Sequence, residues 1–258
     1  MKKFISIIMC AILAVMTLAS CSSDKSSSDV DAVKEAGKLV VGITEYEPMD
    51  YRDENGNWTG FDAEFAQLFA DELGVECEFI VIDWDNKLFE LSSGAIDCIW
   101  NGMTITPEIT SSCAVSDPYV ENRQVVVMKS SAAADYASFE DMAALKFTAE
   151  AGSAGESALG DVENYTAVAD QSSALLEVES GSADACVIDA TMASAMTGDG
   201  TSYSDLTVAA ELTNEQYGVA FREGSDLCTE LNTFMDKIIS DGTLGSLAEK
   251  YGLTLAEQ

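Results

Sequence analysis

From residue 38 onward the apolar positions follow two alternating rhythms. Residues 38–44, KLVVGIT, are a β-branched run and read as a strand. Phe61, Phe65, Leu68, Phe69 and Leu73 then recur at helical spacing and place one apolar face on a helix over 61–73. Asp62 suits its N-cap, and Gly74 ends it. Between these elements, residues 46–58 form a loop or hairpin with Asn55-Gly56 as the turn pair. A strand over 76–82, a helix over 85–93 stopped by Gly94 and a strand over 96–101 follow. Such alternation predicts an α/β fold with a parallel sheet covered on both faces.

A second series begins near residue 125. Residues 124–129, QVVVMK, and 147–150 read as strands; residues 152–156 are a small-residue turn that opens a helix. A helix over 169–180, a strand over 185–189, a helix over 190–196 and a strand over 217–221 continue the series. Leu227, Leu231, Phe234, Ile238 and Ile239 mark a long amphipathic helix capped by Ser225, and Thr243 starts a last short one. Two such series in 258 residues predict two modest α/β lobes.

Charge narrows the choice of partner. The chain carries 13 basic and 45 acidic residues, a net charge of −32. Residues 1–20 hold Lys2, Lys3 and no acid, so their removal leaves −34. A polyanion of this size repels nucleic acid and bare anionic lipid and prefers cationic or zwitterionic small molecules; the same charge also serves solubility. Histidine is absent, which removes imidazole as general base, triad member or metal ligand. Neither a cofactor nor a metal is expected.

The N-terminus reads as a sorting signal: two lysines, an apolar run over 4–19, then Leu18-Ala19-Ser20-Cys21. That tetrapeptide resembles a bacterial lipobox, which implies cleavage after residue 20 and lipidation of Cys21. Residues 21–35 are expected to be a flexible tether to the outer face of the cell membrane. Cys77, Cys98, Cys113, Cys186 and Cys228 remain in the domain, an odd number, so at least one thiol is free.

The stretch from Trp84 to Tyr119, WDNKLFELSSGAIDCIWNGMTITPEITSSCAVSDPY, resembles the first lobe of the family 3 solute-binding proteins that deliver polar amino acids to ABC importers. Gly60-Phe61-Asp62 and the segment YGVAFR at 217–222 match the family in order, and the likeness covers residues 36–252. The resemblance implies a two-lobed, type II periplasmic-binding-protein-like fold, each lobe a mostly parallel sheet flanked by helices, joined by a two-strand hinge. Lobe one would comprise 36–124 and 219–258, and lobe two 125–218. It also implies a monomer that captures a polar amino acid or related amine by hinge closure and meets a membrane permease.

In such sheets ligands bind beyond the strand carboxyl ends. The resemblance places Asp189 on the ligand's ammonium, although Asp189 also suits the N-cap of the helix at 190. It places Gly102, Met103 and Thr104 along the cleft, the alternative being a plain turn before Thr106 and Pro107. Tyr46 and Trp100 would supply aromatic walls unless they are core. Gly152, Ser153 and Ala154 offer backbone N–H groups to a carboxylate. One position departs: the family commonly has an arginine after Thr-Pro-Glu for the α-carboxylate, and this chain has Ile109. Three outcomes stay open. Arg123 reaches into the cleft, unless it is a solvated surface residue; the turn at 152–156 carries the carboxylate alone; or the ligand has none. A surface sensor and a cyclohexadienyl-dehydratase-like enzyme are the rival readings.

Overall fold

The computed structural model describes residues 28–257. The expected signal segment and the lipid-bearing Cys21 lie outside the described residues. The expected tether requires correction where it is described. Asp29–Ala36 is a helix, because Ser28 Oγ accepts the N–H of Asp31 and Gly37 closes the last turn in the left-handed region at φ 73°. It docks on the protein: Val33 is buried, Val30 N–H donates to Asp226 Oδ1 and Asp29 pairs with Arg222.

Two five-stranded sheets organise the chain. The first runs, edge to edge, Glu76–Val81, Lys38–Ile43, Cys98–Ile99, Ala220–Arg222 and Cys113–Val115. Its first two pairings are parallel and its last two antiparallel. The second runs Tyr165–Val168, Phe147–Glu150, Ala185–Asp189, Gln124–Lys129 and Leu206–Glu211, again with two parallel pairings followed by two antiparallel. Both sheets are therefore mixed where a mostly parallel arrangement is expected. The antiparallel neighbours begin at Gln124–Lys129, which has just crossed into the second sheet, and at Ala220–Arg222, which has just returned to the first. A strand arriving from the other half enters against the local direction.

Burial follows from this layering. Along Gln124–Lys129, Val125 and Val127 enter one apolar cluster while Val126 and Met128 enter another. A strand covered on both faces needs apolar residues at every position, which is why it reads as a continuous run. On the first sheet, the Phe61–Leu73 helix buries Phe61, Phe65 and Phe69, and Phe65 and Phe69 pack against Phe234 of the Asp226–Ser240 helix. The opposite face is sealed by Trp84, Leu91, Ile96 and Ile99. Asp62 is not the cap expected: Gly60 occupies that position, and Asp62 is turned into the core of the fold. Ser225 stands at the N-cap of the Asp226–Ser240 helix, but its side chain makes no cap hydrogen bond.

The chain passes between the halves through Val120–Asn122 and Glu215–Tyr217, which pair antiparallel as a ribbon belonging to neither sheet. The strand expected over 217–221 is accordingly two short ones. Gly218 separates them, and a Cβ there would lie 2.9 Å from Ile105. All five cysteines among the described residues are free thiols. Among those residues no helix is long and apolar enough to cross a membrane.

Candidate functional site

Between the sheets lies a cavity of about 480 Å³. The ends of four strands deliver its walls: Thr44 and Tyr46 after Lys38–Ile43, Asn101 to Thr104 after Cys98–Ile99, Glu150 at the end of Phe147–Glu150, and Asp189 at the end of Ala185–Asp189. This is where an α/β sheet presents backbone and side chains without interrupting its ladder.

The first-lobe wall is held from behind. Asn101 Oδ1 accepts from the N–H and hydroxyl of Thr44 at 2.7 Å each, and its Nδ2 donates to Asp50 Oδ2 at 2.8 Å. Gly102 takes φ 53°, and a Cβ there would lie 2.5 Å from the Tyr46 ring. Its N–H donates to Asp62 Oδ2 at 2.5 Å, and Tyr119 Oη donates to the same oxygen at 2.8 Å. Burial pushes Asp62 up to about 7 against these donors, and burial together with the charge of Asp62 raises Asp50 well above the usual carboxylate range. Tyr46 and Met103 line the cavity, and Thr104 Oγ1 donates to Glu215 Oε1 at 2.8 Å.

Two expected site residues are elsewhere. Trp100 is 0 % exposed, stands edge-on to Phe65 with centroids 4.8 Å apart and does not line the cavity. Side chains alternate along extended chain, so Trp100 turns to the helix face while Asn101 turns to the cleft. Arg123 is a surface residue whose Nη1 pairs with Glu211 Oε1 at 2.9 Å, again outside the cavity lining.

Across the cleft, Asp189 is the N-cap residue of Ala190–Met196, but its side chain makes no cap hydrogen bond. The carboxylate instead accepts four donors: Asn122 Nδ2, Gln124 Nε2 at 2.9 Å and Tyr217 Oη at 2.8 Å on Oδ1, and Gln171 Nε2 on Oδ2. Burial and the neighbouring Glu215 nevertheless push it up to about 7. Glu150, missed from the sequence, is 3 % exposed, and its Oε1 has no hydrogen-bond partner. Burial, then the charges of Asp189 and Asp170, raise it well above the usual range, and Lys87 works in the other direction. A readable signal existed: Glu150, like Asp189, is an acid ending a wholly buried strand.

Gly152, Ser153 and Ala154 do line the cavity, but the N–H groups of Gly152 and Ser153 are committed. Gly152 N–H donates to Glu156 Oε2, Ser153 N–H to the Glu150 carbonyl, and Glu156 N–H to Ser153 Oγ. Lys87 is the second residue missed. Its Nζ donates to the Gly152 carbonyl at 2.8 Å and to the Trp84 carbonyl at 3.2 Å, bridging the lobes. Burial lowers its pKa, while Glu150, Glu108 and Asp85 raise it. A Cβ on Gly152 would sit 2.8 Å from the Asp85 Cα, so the two halves are shut against each other here. On the other side Tyr46 Oη meets Thr191 Oγ1. Among the described residues no group of three or more His, Cys, Asp or Glu could hold a metal ion.

Comparison with known proteins agrees with this architecture. The profile of the Bacterial extracellular solute-binding proteins, family 3, matches residues 39–254. The L-cystine-binding protein TcyJ of Escherichia coli K12 is 30% identical over 93% of this chain and 94% of its own. A crystal structure of an amino acid ABC transporter substrate-binding protein from Streptococcus pneumoniae bound to L-arginine is 28% identical, with a TM-score of 0.79 over 89% of this chain and 100% of that one. Cyclohexadienyl dehydratase of Pseudomonas aeruginosa is 29% identical over 51% of this chain and 50% of its own.

Proposed function

The chain belongs to family 3 of the bacterial extracellular solute-binding proteins, and we propose that it captures a polar amino acid or related amine by closing its two lobes and hands it to an ABC importer. The observation that carries this reading is the cavity itself. It is of small-molecule size, sits between two lobes joined by a two-strand ribbon, and is floored by the buried Asp189. A guest touching both lobes stabilises the shut form only through contacts the open form lacks, so closure reports occupancy. A permease then reads the shut shape. Lobe one corresponds to 36–124 and 219–258, and lobe two to 125–218. Lipidation at Cys21 holds the monomer at the outer face of the membrane and raises its concentration near the permease.

The dehydratase similarity supports an enzyme reading over half the chain, and turnover of a cyclohexadienyl acid by the purified protein would establish it. The lining argues for binding over that chemistry: it has no histidine or arginine and a single lysine for a carboxylate-bearing substrate. A thermal-shift screen of amino acids and simple amines tests the proposal. One ligand at 100 times its Kd should add about 2.7 kcal/mol of stability and raise the melting temperature. A flat response to every small polar solute would end this reading.

A further inference from the structure

We infer that the cleft takes an organic dication without a carboxylate, such as a diamine or a guanidino amine, and that Glu150 holds one of its charged ends. This rests on the solute-capture reading and names the solute class.

The charges of the lining are one-sided. Five carboxylates face the cavity: Glu150 and Asp189 at the floor, Glu215 beside them, and Asp85 and Glu108 at the exposed rim. Lys87 is the one cation among the described lining residues. The lining residue Ile109 is 4 % exposed and packed in the apolar cluster with Met103, so that wall offers no charge.

Most side-chain donors of the lining are already committed. The hydroxyls of Thr104 and Thr213 go to Glu215, that of Thr44 to Asn101, and that of Ser157 to the Ser153 carbonyl. The Asn101 amide goes to Asp50 and the Gln171 amide to Asp189. Lys87 spends two of its three N–H donors on backbone carbonyls, one in each lobe.

What the cavity leaves open is an acceptor. Asp189 already receives four donors, whereas Glu150 Oε1 is buried and receives none. A buried carboxylate oxygen without a partner is costly, and a guest ammonium or guanidinium supplies the missing donor as a charge-assisted bond. A second positive group follows from where the acids sit. Floor acids belong to one half and the rim acids Asp85 and Glu108 to the other, and the halves meet where Gly152 abuts Asp85. Two acidic surfaces repel as they close, and five carboxylates against the single ammonium of Lys87 leave room for further positive charge between them.

The test uses matched pairs that differ only by the carboxylate: agmatine against arginine, cadaverine against lysine, and putrescine against ornithine. Titration calorimetry on the full chain at pH 7.5 is expected to show at least one amine binding tenfold or more tighter than its parent amino acid. Glu150→Gln should weaken that amine at least tenfold while leaving the unliganded melting temperature equal or higher, because a buried acid with one oxygen left without a partner has been removed. If a parent amino acid binds as well as its amine or better, the dication inference falls and solute capture stands. If the amines win but Glu150→Gln binds them unchanged, the role of Glu150 falls. If neither the six compounds nor the common amino acids bind, solute capture itself fails and takes this inference with it.

Discussion

Asp62 lies behind the first-lobe wall and Asp189 on the floor of the second, and burial pushes each up to about 7. Their partners differ in kind. Asp62 holds a backbone N–H, that of Gly102, and the Tyr119 hydroxyl, and it faces no cavity. Asp189 holds three side-chain amides and a tyrosine and faces the cavity. The first is a strut that fixes the shape of a turn. The second is a reservoir of negative charge kept ready by neutral donors. On the proposed reading, the same desolvation serves shape in one lobe and affinity in the other.

Removing the strut should have the largest effect on stability. Asp62→Ala leaves two buried donors without an acceptor, and a loss of about 3 kcal/mol is expected in urea unfolding. A loss below about 1 kcal/mol would mean the turn at Gly102 is held by other means. Asp189→Asn replaces acceptor capacity with an amide that faces the Gln and Asn donors, so about 2 kcal/mol should go, together with most of the affinity for a cationic guest. A folded variant with full affinity would move the charge-holding role off the floor.

Both aspartates predict how pH acts, and here the lobes can be separated. A carboxyl raised from 3.8 to about 7 contributes stability that is fully present below pH 3.8 and is lost as pH rises through 7. The unliganded protein should thus be more stable at pH 5 than at pH 8. For Asp62 the facing groups are Asp50 and Tyr119; for Asp189 they are Glu215, Glu150, Tyr46 and Tyr217. Lys87 and Asp170 also face Glu150. A cationic guest needs the floor acids ionised, so its affinity should climb over the same interval, by up to about tenfold per pH unit for each proton displaced. Parallel slopes for stability and affinity would contradict the division. The smallest effect is expected at Arg123→Ala. An exposed pair with Glu211 contributes about 0.5 kcal/mol or less, and affinity should change less than twofold.

How much of this was readable depended on burial. Gln124–Lys129 and Ala185–Asp189 hold continuous apolar runs, VVVM and ACVI, and were plain in the sequence. Tyr165–Val168 and Leu206–Glu211 are sheet edges on which Leu206 alone is buried, and their mixed polarity hid them. The Asp29–Ala36 helix had its cap serine and closing glycine in view, but a serine-rich neighbourhood masked both. Trp100 was misplaced because one residue of register decides which face a side chain takes. Pairings such as Lys87 with Gly152, or Glu215 with Thr104, join residues 65 and 111 apart and exist only once both lobes are folded.

The ribbon that connects the halves is tied into the floor. Asn122 lies on its outgoing strand and donates to both Asp189 and Glu215; Glu215 lies on its returning strand and accepts from Thr104. If the floor holds the guest as proposed, a guest that draws charge there pulls directly on the fulcrum as well as on the two jaws, and bite angle and occupancy become one mechanical variable.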